Sequence, residues 1–375
     1  MRESSHNQKV VLSIRDLKVS FHTYAGDVKA LDGVGLSVSN GEILGLVGES
    51  GCGKSVTSLT VAGLLPHNAE ILSGEAVLDG VDLLKMKRSE MRLARLRDIA
   101  MVFQDPMTYL NPVLTVGSQI TEILVDDPKL FSRPLIEQKL ADLRHSQGNE
   151  VEDRNIKRLE SQLNDGKISR HELNLLAKSY ALSVLKLVKL PEPERVFKMY
   201  PFELSGGMRQ RAMIAMALVR RPKLILADEI STALDVTVQA QILKLLQELK
   251  EKIDTSVILI THDLAVVAEV CDRVAVMYAG NIVEVAEVEE LFRNPLHPYT
   301  RALLESIPSP SAAGQELKSI KGSVPDLIHP PPGCRFNPRC PAKLDQCSKQ
   351  KPELVEVKPA HFVSCFNYGG SRRDG

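Results

Sequence analysis

Eight residues, Gly48-Glu49-Ser50-Gly51-Cys52-Gly53-Lys54-Ser55, have the spacing Gly-x-x-x-x-Gly-Lys-Ser. They follow the apolar run Ile43-Leu44-Gly45-Leu46-Val47 and precede a helix-compatible stretch, so the segment reads strand, glycine-rich loop, helix. In that setting the loop is a phosphate cradle. Its glycines let successive N–H groups turn towards one point, the amides through Val56 share the anion, and the helix N-terminus adds a favourable dipole. Lys54 would reach the β- and γ-phosphates, and the Ser55 hydroxyl would ligate Mg2+. Downstream, Lys223-Leu224-Ile225-Leu226-Ala227-Asp228-Glu229 is an apolar run ending in two carboxylates. Acids at the C-terminal end of a buried parallel strand sit where open α/β sheets place their ligands. Asp228 would hold Mg2+, and Glu229 would polarise an attacking water as general base. His262 follows the apolar run Val257-Ile258-Leu259-Ile260, which would deliver its side chain to the same end of the sheet.

These groups need a rigid frame. A chain of 375 residues can bury one large α/β core plus appendages. Residues 10–40 alternate apolar and polar as a β-rich N-terminal subdomain, with Gly26-Asp27 and Ser39-Asn40-Gly41 as turns. Another β segment runs through Gly74-Glu75-Ala76-Val77-Leu78-Asp79-Gly80. From about 107 to 203 the pattern turns helical: Ile136, Leu140 and Leu143 share one face, as do Ile156, Leu159 and Leu163. Ser169-x-x-Glu172 reads as a capping box opening a helix through Leu173, Leu176, Tyr180, Leu187 and Val188. Residues 204–290 return to the core sheet. Lys plus Arg number 47, as do Asp plus Glu, so the formal net charge is zero. The mixing of those charges argues against a nucleic-acid-binding surface. Hydropathy offers neither a bilayer-length run nor a signal peptide's apolar core, so the chain is expected to be soluble and to meet a membrane through partners.

Between the phosphate loop and the paired acids, Leu204-Ser205-Gly206-Gly207-Met208-Arg209-Gln210-Arg211 resembles the signature motif of ATP-binding cassette (ABC) ATPases. Other pieces resemble the family in order: Gln104 in Val102-Phe103-Gln104-Asp105-Pro106 the Q-loop, Asp235 in Ala233-Leu234-Asp235 the D-loop, and His262 in Ile260-Thr261-His262-Asp263 the switch histidine. The resemblance covers about residues 10–310. It implies an α/β nucleotide-binding domain with a RecA-like parallel-sheet core, an N-terminal antiparallel β subdomain and a helical subdomain. It also implies ATP hydrolysis, with Glu229, His262 and Gln104 catalytic and Mg2+ held by Ser55, Gln104 and Asp228. Ser205, Gly206, Gly207 and Gln210 would serve ATP held by a second ATPase subunit, because one loop and one signature require a partner chain; a different but related chain is expected. Phe21, with Tyr24 close by, would stack on adenine. Two features depart from the family. Ile230 stands where proline is usual after the acids, and proline would stiffen that turn. The helical subdomain carries an excess at about 130–175, expected to form an extra helical hairpin. Met107, Tyr109 and Leu110 are candidates to touch a membrane partner's coupling helix.

The C-terminal segment Asn294-Pro295-Leu296-His297-Pro298-Tyr299-Thr300-Arg301-Ala302-Leu303-Leu304-Glu305-Ser306-Ile307-Pro308 resembles one in the ATPase subunits of oligopeptide, dipeptide and nickel importers. A boundary near 308 would separate the ABC domain, residues 1–308, from a Cys-rich extension, 309–375. That extension gathers Cys334, Cys340, Cys347 and Cys365 at the spacing Cys-x5-Cys-x6-Cys-x17-Cys. No Cys-x2–4-Cys knuckle of the zinc type is present. The spacing resembles importer tails that hold a [4Fe–4S] cluster, which four thiolates satisfy, with Zn2+ as the alternative. Together these resemblances imply an importer ATPase at the cytoplasmic face of the cell membrane, with two permease subunits and an extracytoplasmic substrate-binding protein. The cargo would be di- or oligopeptides, with nickel or another small solute as alternative. A soluble ABC ATPase acting on DNA or ribosomes is a third reading, and the chain shows none of the coiled-coil arms, tandem cassettes or basic surfaces of that class.

Overall fold

The computed structural model divides into two units: residues 1–101, 223–229 and 246–375, which hold the strands and the helices connecting them, and residues 102–222 and 230–245. Residues described are 9–103, 105–126, 131, 134–137, 139–140, 159, 161, 168–230, 236–252, 255–306 and 320–369. In the first unit, β1 (Val10–Thr23) and β2 (Gly26–Ser39) form a long hairpin, and β3 (Ile43–Val47) leads into the phosphate loop. β4 (Ala69–Leu78) and β5 (Val81–Asp82) return to the hairpin, giving an antiparallel sheet of order β2-β1-β4-β5. Alternation along β1 and β2 buries Leu12, Ile14, Val19, Val34, Leu36 and Val38 in one core with Leu44 and Leu46 of β3. Each such side chain contributes about 1.5–3 kcal/mol of transfer free energy.

The second sheet is built around β3. β6 (Ile99–Val102), β7 (Leu224–Asp228), β8 (Ser256–Ile260), β9 (Arg273–Tyr278), β10 (Asn281–Glu287), β11 (Val355–Lys358) and β12 (His361–Val363) join it in the order β11-β12-β10-β9-β3-β8-β7-β6. β3 runs parallel to β8 and β9, and β8 parallel to β7. Every residue of β3 and of β8 is buried, as expected for parallel strands covered on both faces. From β9 outward the pairing turns antiparallel, through β10 and β12 to β11. Two strands from residues 309–375 therefore extend the sheet that carries the phosphate loop.

The second unit is helical. The capping box forms as expected: Ser169 Oγ accepts from the Glu172 N–H at 3.2 Å, and Glu172 accepts from the Ser169 N–H at 3.4 Å, opening the helix Arg170–Leu187. That helix buries Leu173, Ala177, Ala181 and Val184 and packs on the helices Val116–Val125 and Gly206–Leu218. Of the expected hairpin at about 130–175, Leu135, Ile136 and Leu140 are buried, and most of the remainder lies outside the described residues. Among the described residues no helix is long and apolar enough to cross a membrane.

Candidate active site

Steric need explains both ends of the phosphate loop. A Cβ on Gly48, at φ 153°, would lie 2.1 Å from the Met277 carbonyl oxygen, and one on Gly53, at φ 109°, would lie 2.7 Å from Leu31 Cδ2. The helix Lys54–Ala62 follows Gly53 directly. Lys54 Nζ donates to the carbonyls of Gly48 (2.8 Å) and Glu49 (3.1 Å), so the ammonium lies within the loop. Cys52 turns its thiol into the core, where burial raises it, while its carbonyl accepts from the Gly280 N–H at 2.7 Å. Ser50, Gly51 and Ser55 are exposed, and Val56 is half-buried against the core. Glu49 behaves differently from its neighbours. Its N–H donates to Tyr299 Oη (2.9 Å) and its carboxylate takes a fork of two hydrogen bonds from Arg339, so its polar side chain faces protein.

β7 carries the acids to the same sheet end. Burial raises the Asp228 carboxyl, against the pull of the Ser55 hydroxyl, and the neighbouring Glu229 raises it further. Asp228 Oδ1 is buried without a hydrogen-bond partner. A half-buried carboxylate with an unpartnered oxygen beside a serine hydroxyl suits a hard divalent cation, so Ser55 and Asp228 fit Mg2+. Glu229 takes a left-handed backbone, φ 49°, with its N–H donated to the Ile260 carbonyl at 2.9 Å. His262 Nδ1 lies 3.3 Å from Glu229 Oε1. The histidine is held by its neighbours: the Thr261 N–H bonds to Leu46 of β3, and Asp263 caps the helix Leu264–Val270 through the N–H groups of Ala265 and Val266. Lys54, Ser55, Asp228, Glu229 and His262 thus lie at or just beyond the C-terminal ends of three adjacent parallel strands, β3, β7 and β8.

In the helical unit, Ser205 is the N-cap of the helix Gly206–Leu218, accepting from the Met208 N–H at 3.4 Å. Ser205 and Gly206 are exposed and Gly207 half-buried, leaving a hydroxyl and helix-terminal amides at the surface. Gln210, expected beside them, is instead 1% exposed, with its Nε2 unpartnered inside the unit. Phe21 is half-buried against the core, paired with Val28 and Ala69, whereas the Tyr24 ring is fully exposed at the β1–β2 turn. Tyr109 is exposed and stacks on Phe103 with centroids 3.7 Å apart, while Leu110 is buried in the core of the unit. Gln104, Asp235 and the side chain of Met107 lie outside the described residues.

All four C-terminal cysteines line one small pocket, together with His297, Phe336 and Phe366. Burial pushes the Cys334 thiol up to about 12 and raises Cys340 and Cys365 as well. Among the described residues no three His, Cys, Asp or Glu side chains close on one point tightly enough to hold a single metal ion. Sequence reasoning missed Tyr299, Arg339 and Arg335. The last donates to the carbonyls of Lys29 and Ala279 beside the loop-bracing Gly280. Tyr299 stood in a segment singled out by resemblance, and the two arginines stood next to the cysteines Cys340 and Cys334.

A family model described as "ABC transporter" matches residues 31–232, and the dipeptide transport ATP-binding protein DppD of Bacillus subtilis is 45% identical over 95% of this chain and 94% of its own. The chain belongs to the ABC transporter family. A second model, "Oligopeptide/dipeptide transporter, C-terminal region", matches residues 283–347 of this ABC ATPase. The oligopeptide transport ATP-binding protein OppD of Escherichia coli is 42% identical over 95% of this chain and 93% of its own. The ABC ATPase therefore groups with the ATP-binding subunits of oligopeptide and dipeptide transporters. Its fold is that of a dimeric bacterial ABC transporter cassette (TM-score 0.55, 25% identity, 74% of this chain and 98% of that one). A transporter-complex subunit from Clostridium perfringens shares the fold at TM-score 0.56 and 23% identity, over 76% of this chain and 92% of that one.

Proposed function

We propose that this ABC ATPase powers uptake of di- and oligopeptides from the cytoplasmic face of the membrane. It would work with a second, related ATPase chain, two permease subunits and an extracytoplasmic substrate-binding protein. The observation carrying this reading is that the ATPase motifs and the oligopeptide/dipeptide C-terminal region occur together along one chain. ATP is held by the amides of Gly48–Val56 and by Lys54, with Phe21 against adenine. Ser55 and Asp228, with Gln104 by the family resemblance, would hold Mg2+, which would supply charge neutralisation to the phosphates when bound. Glu229 takes the proton of the attacking water, and His262, within reach of that carboxylate, contacts the γ-phosphate. Ser205 to Gly207 present their hydroxyl and amides to the partner's ATP, and Asp235 lies at that interface. The closed pair loses these contacts when the γ-phosphate leaves, which resets the permease.

The Cys-rich part, 309–375, is proposed to bind a [4Fe–4S] cluster through Cys334, Cys340, Cys347 and Cys365. Their common pocket supports four thiolate ligands. Zn2+ on the same four thiolates is the alternative, and iron and acid-labile sulfide analysis of anaerobically purified protein separates the two, stoichiometric zinc overturning the cluster. Affinity capture of the tagged chain from detergent-solubilised native membranes tests the transport reading. Two polytopic membrane proteins and a second ATPase are expected. Recovery with ribosomes or DNA and no membrane protein would overturn it.

A further inference from the structure

Glu49 is the most heavily anchored residue of the phosphate loop. Its carbonyl accepts from Lys54 Nζ and from the Cys52 N–H, its N–H donates to Tyr299 Oη, and its carboxylate accepts from Arg339 Nη1 at 2.7 Å and Nη2 at 3.1 Å. Arg339 is built for this contact. Its side chain is 5% exposed. Its remaining donors are spent on the carbonyls of Lys321 and Ile320 and on Tyr278 Oη, which fixes the direction of the fork. Tyr278, Tyr299 and Phe336 pack ring against ring beneath it, centroids 4.6–5.4 Å apart. A bidentate guanidinium–carboxylate pair fixes geometry as well as energy, and here one end is the second residue of the phosphate-binding motif.

We propose that Arg339 is a positioning residue for nucleotide binding: through Glu49 it holds the phosphate loop in its anion-binding shape, so the cysteine-bearing region sets the affinity for ATP. Loss of the fork frees the Glu49 carboxylate, slackens the Glu49 carbonyl that Lys54 and Cys52 share, and lets the loop sample shapes whose amides no longer converge. The cost falls on binding, because Arg339 reaches neither the acids nor His262. The inference rests on Gly48–Ser55 being the ATP-binding loop.

The test measures Mg-ATP affinity of the full chain by calorimetry, and kcat and KM in the assembled transporter. Arg339→Ala should weaken ATP about tenfold, the scale of a lost charged hydrogen bond, with KM rising and kcat changing far less. Arg339→Lys should recover part of the loss, since it keeps charge but not the fork. Glu49→Gln should reproduce the Arg339→Ala effect, and the double variant should bind no worse than either single one. Hydrogen exchange at the Gly51–Lys54 amides should quicken in each. ATP affinity within twofold of the parent in a cooperatively folded Arg339→Ala, or strictly additive losses in the double variant, would overturn the proposal. If Arg339→Ala does not fold, Glu49→Gln removes the same fork from outside the C-terminal region, and unweakened ATP binding there overturns the proposal equally. Lys54→Ala separates the two readings: retained ATP binding there would remove the site itself, whereas its loss beside an unaffected Arg339→Ala removes this inference only.

Discussion

Glu229 carries its carboxylate on a backbone that L-residues rarely adopt, at φ 49°, where glycine would be the easy choice. Such a position costs on the order of 1–3 kcal/mol and persists where the side chain has a task. The N–H to Ile260 pins the turn, and His262 lies at hydrogen-bonding distance from the acid. Glu229→Gln keeps this geometry and removes the proton acceptor. Hydrolysis should slow by about 10²–10⁴-fold while ATP binding persists and an ATP-bound dimer accumulates on size exclusion. Near-normal turnover would show that another group takes the proton. The site was legible at this scale because its signals are local: Gly48, Lys54, Ser55, Asp228, Glu229 and His262 each follow an apolar run that reads as a strand. Gln210 shows the converse, since its exposure depends on helix phase and not on a local run. It shares a motif with Ser205, but a helix sends its position inward, where it is 1% exposed.

At the scale of elements, the helical unit contains a close approach of one helix to a neighbouring ring. Gly117, in the helix Val116–Val125, donates to the Phe197 carbonyl at 2.8 Å, and a Cβ there would sit 2.3 Å from the Phe197 ring. Gly117→Ala should push Phe197 away and destabilise the chain by about 1–3 kcal/mol, read as a lower urea midpoint with ATP affinity of the isolated chain unchanged. An unchanged midpoint would mean that the ring moves freely. The elements themselves were readable where a pattern spans a few residues, as at the Ser169 and Glu172 box or the alternation along β1. Pairings across the fold were not. Tyr299 meets Glu49 across 250 residues and Arg339 meets it across 290, and no local periodicity encodes such contacts.

For the whole molecule, residues 309–375 read in sequence as an extension, and two strands of their described part, β11 and β12, join the core sheet. β12 lies on β10, and His361 Nε2 meets the Glu284 carboxylate at 2.7 Å with both side chains essentially out of solvent. Glu284 also accepts the N–H groups of Leu296 and His297, so it ties three stretches together. Removing residues 309–375 would strand that buried carboxylate without its imidazole and open the β10 edge to other chains. The shortened chain should aggregate on expression at 37 °C; a soluble product melting cooperatively near the parent temperature would show the extension to be dispensable.

The order of strands also has a temporal meaning. β3 emerges early from a ribosome, yet its two neighbours, β8 and β9, are more than 200 residues downstream, and the arginine that grips its loop is translated later still. A nascent or prematurely terminated chain carries the whole phosphate-binding motif without the means to shape it. Competence for nucleotide would thus come late in synthesis.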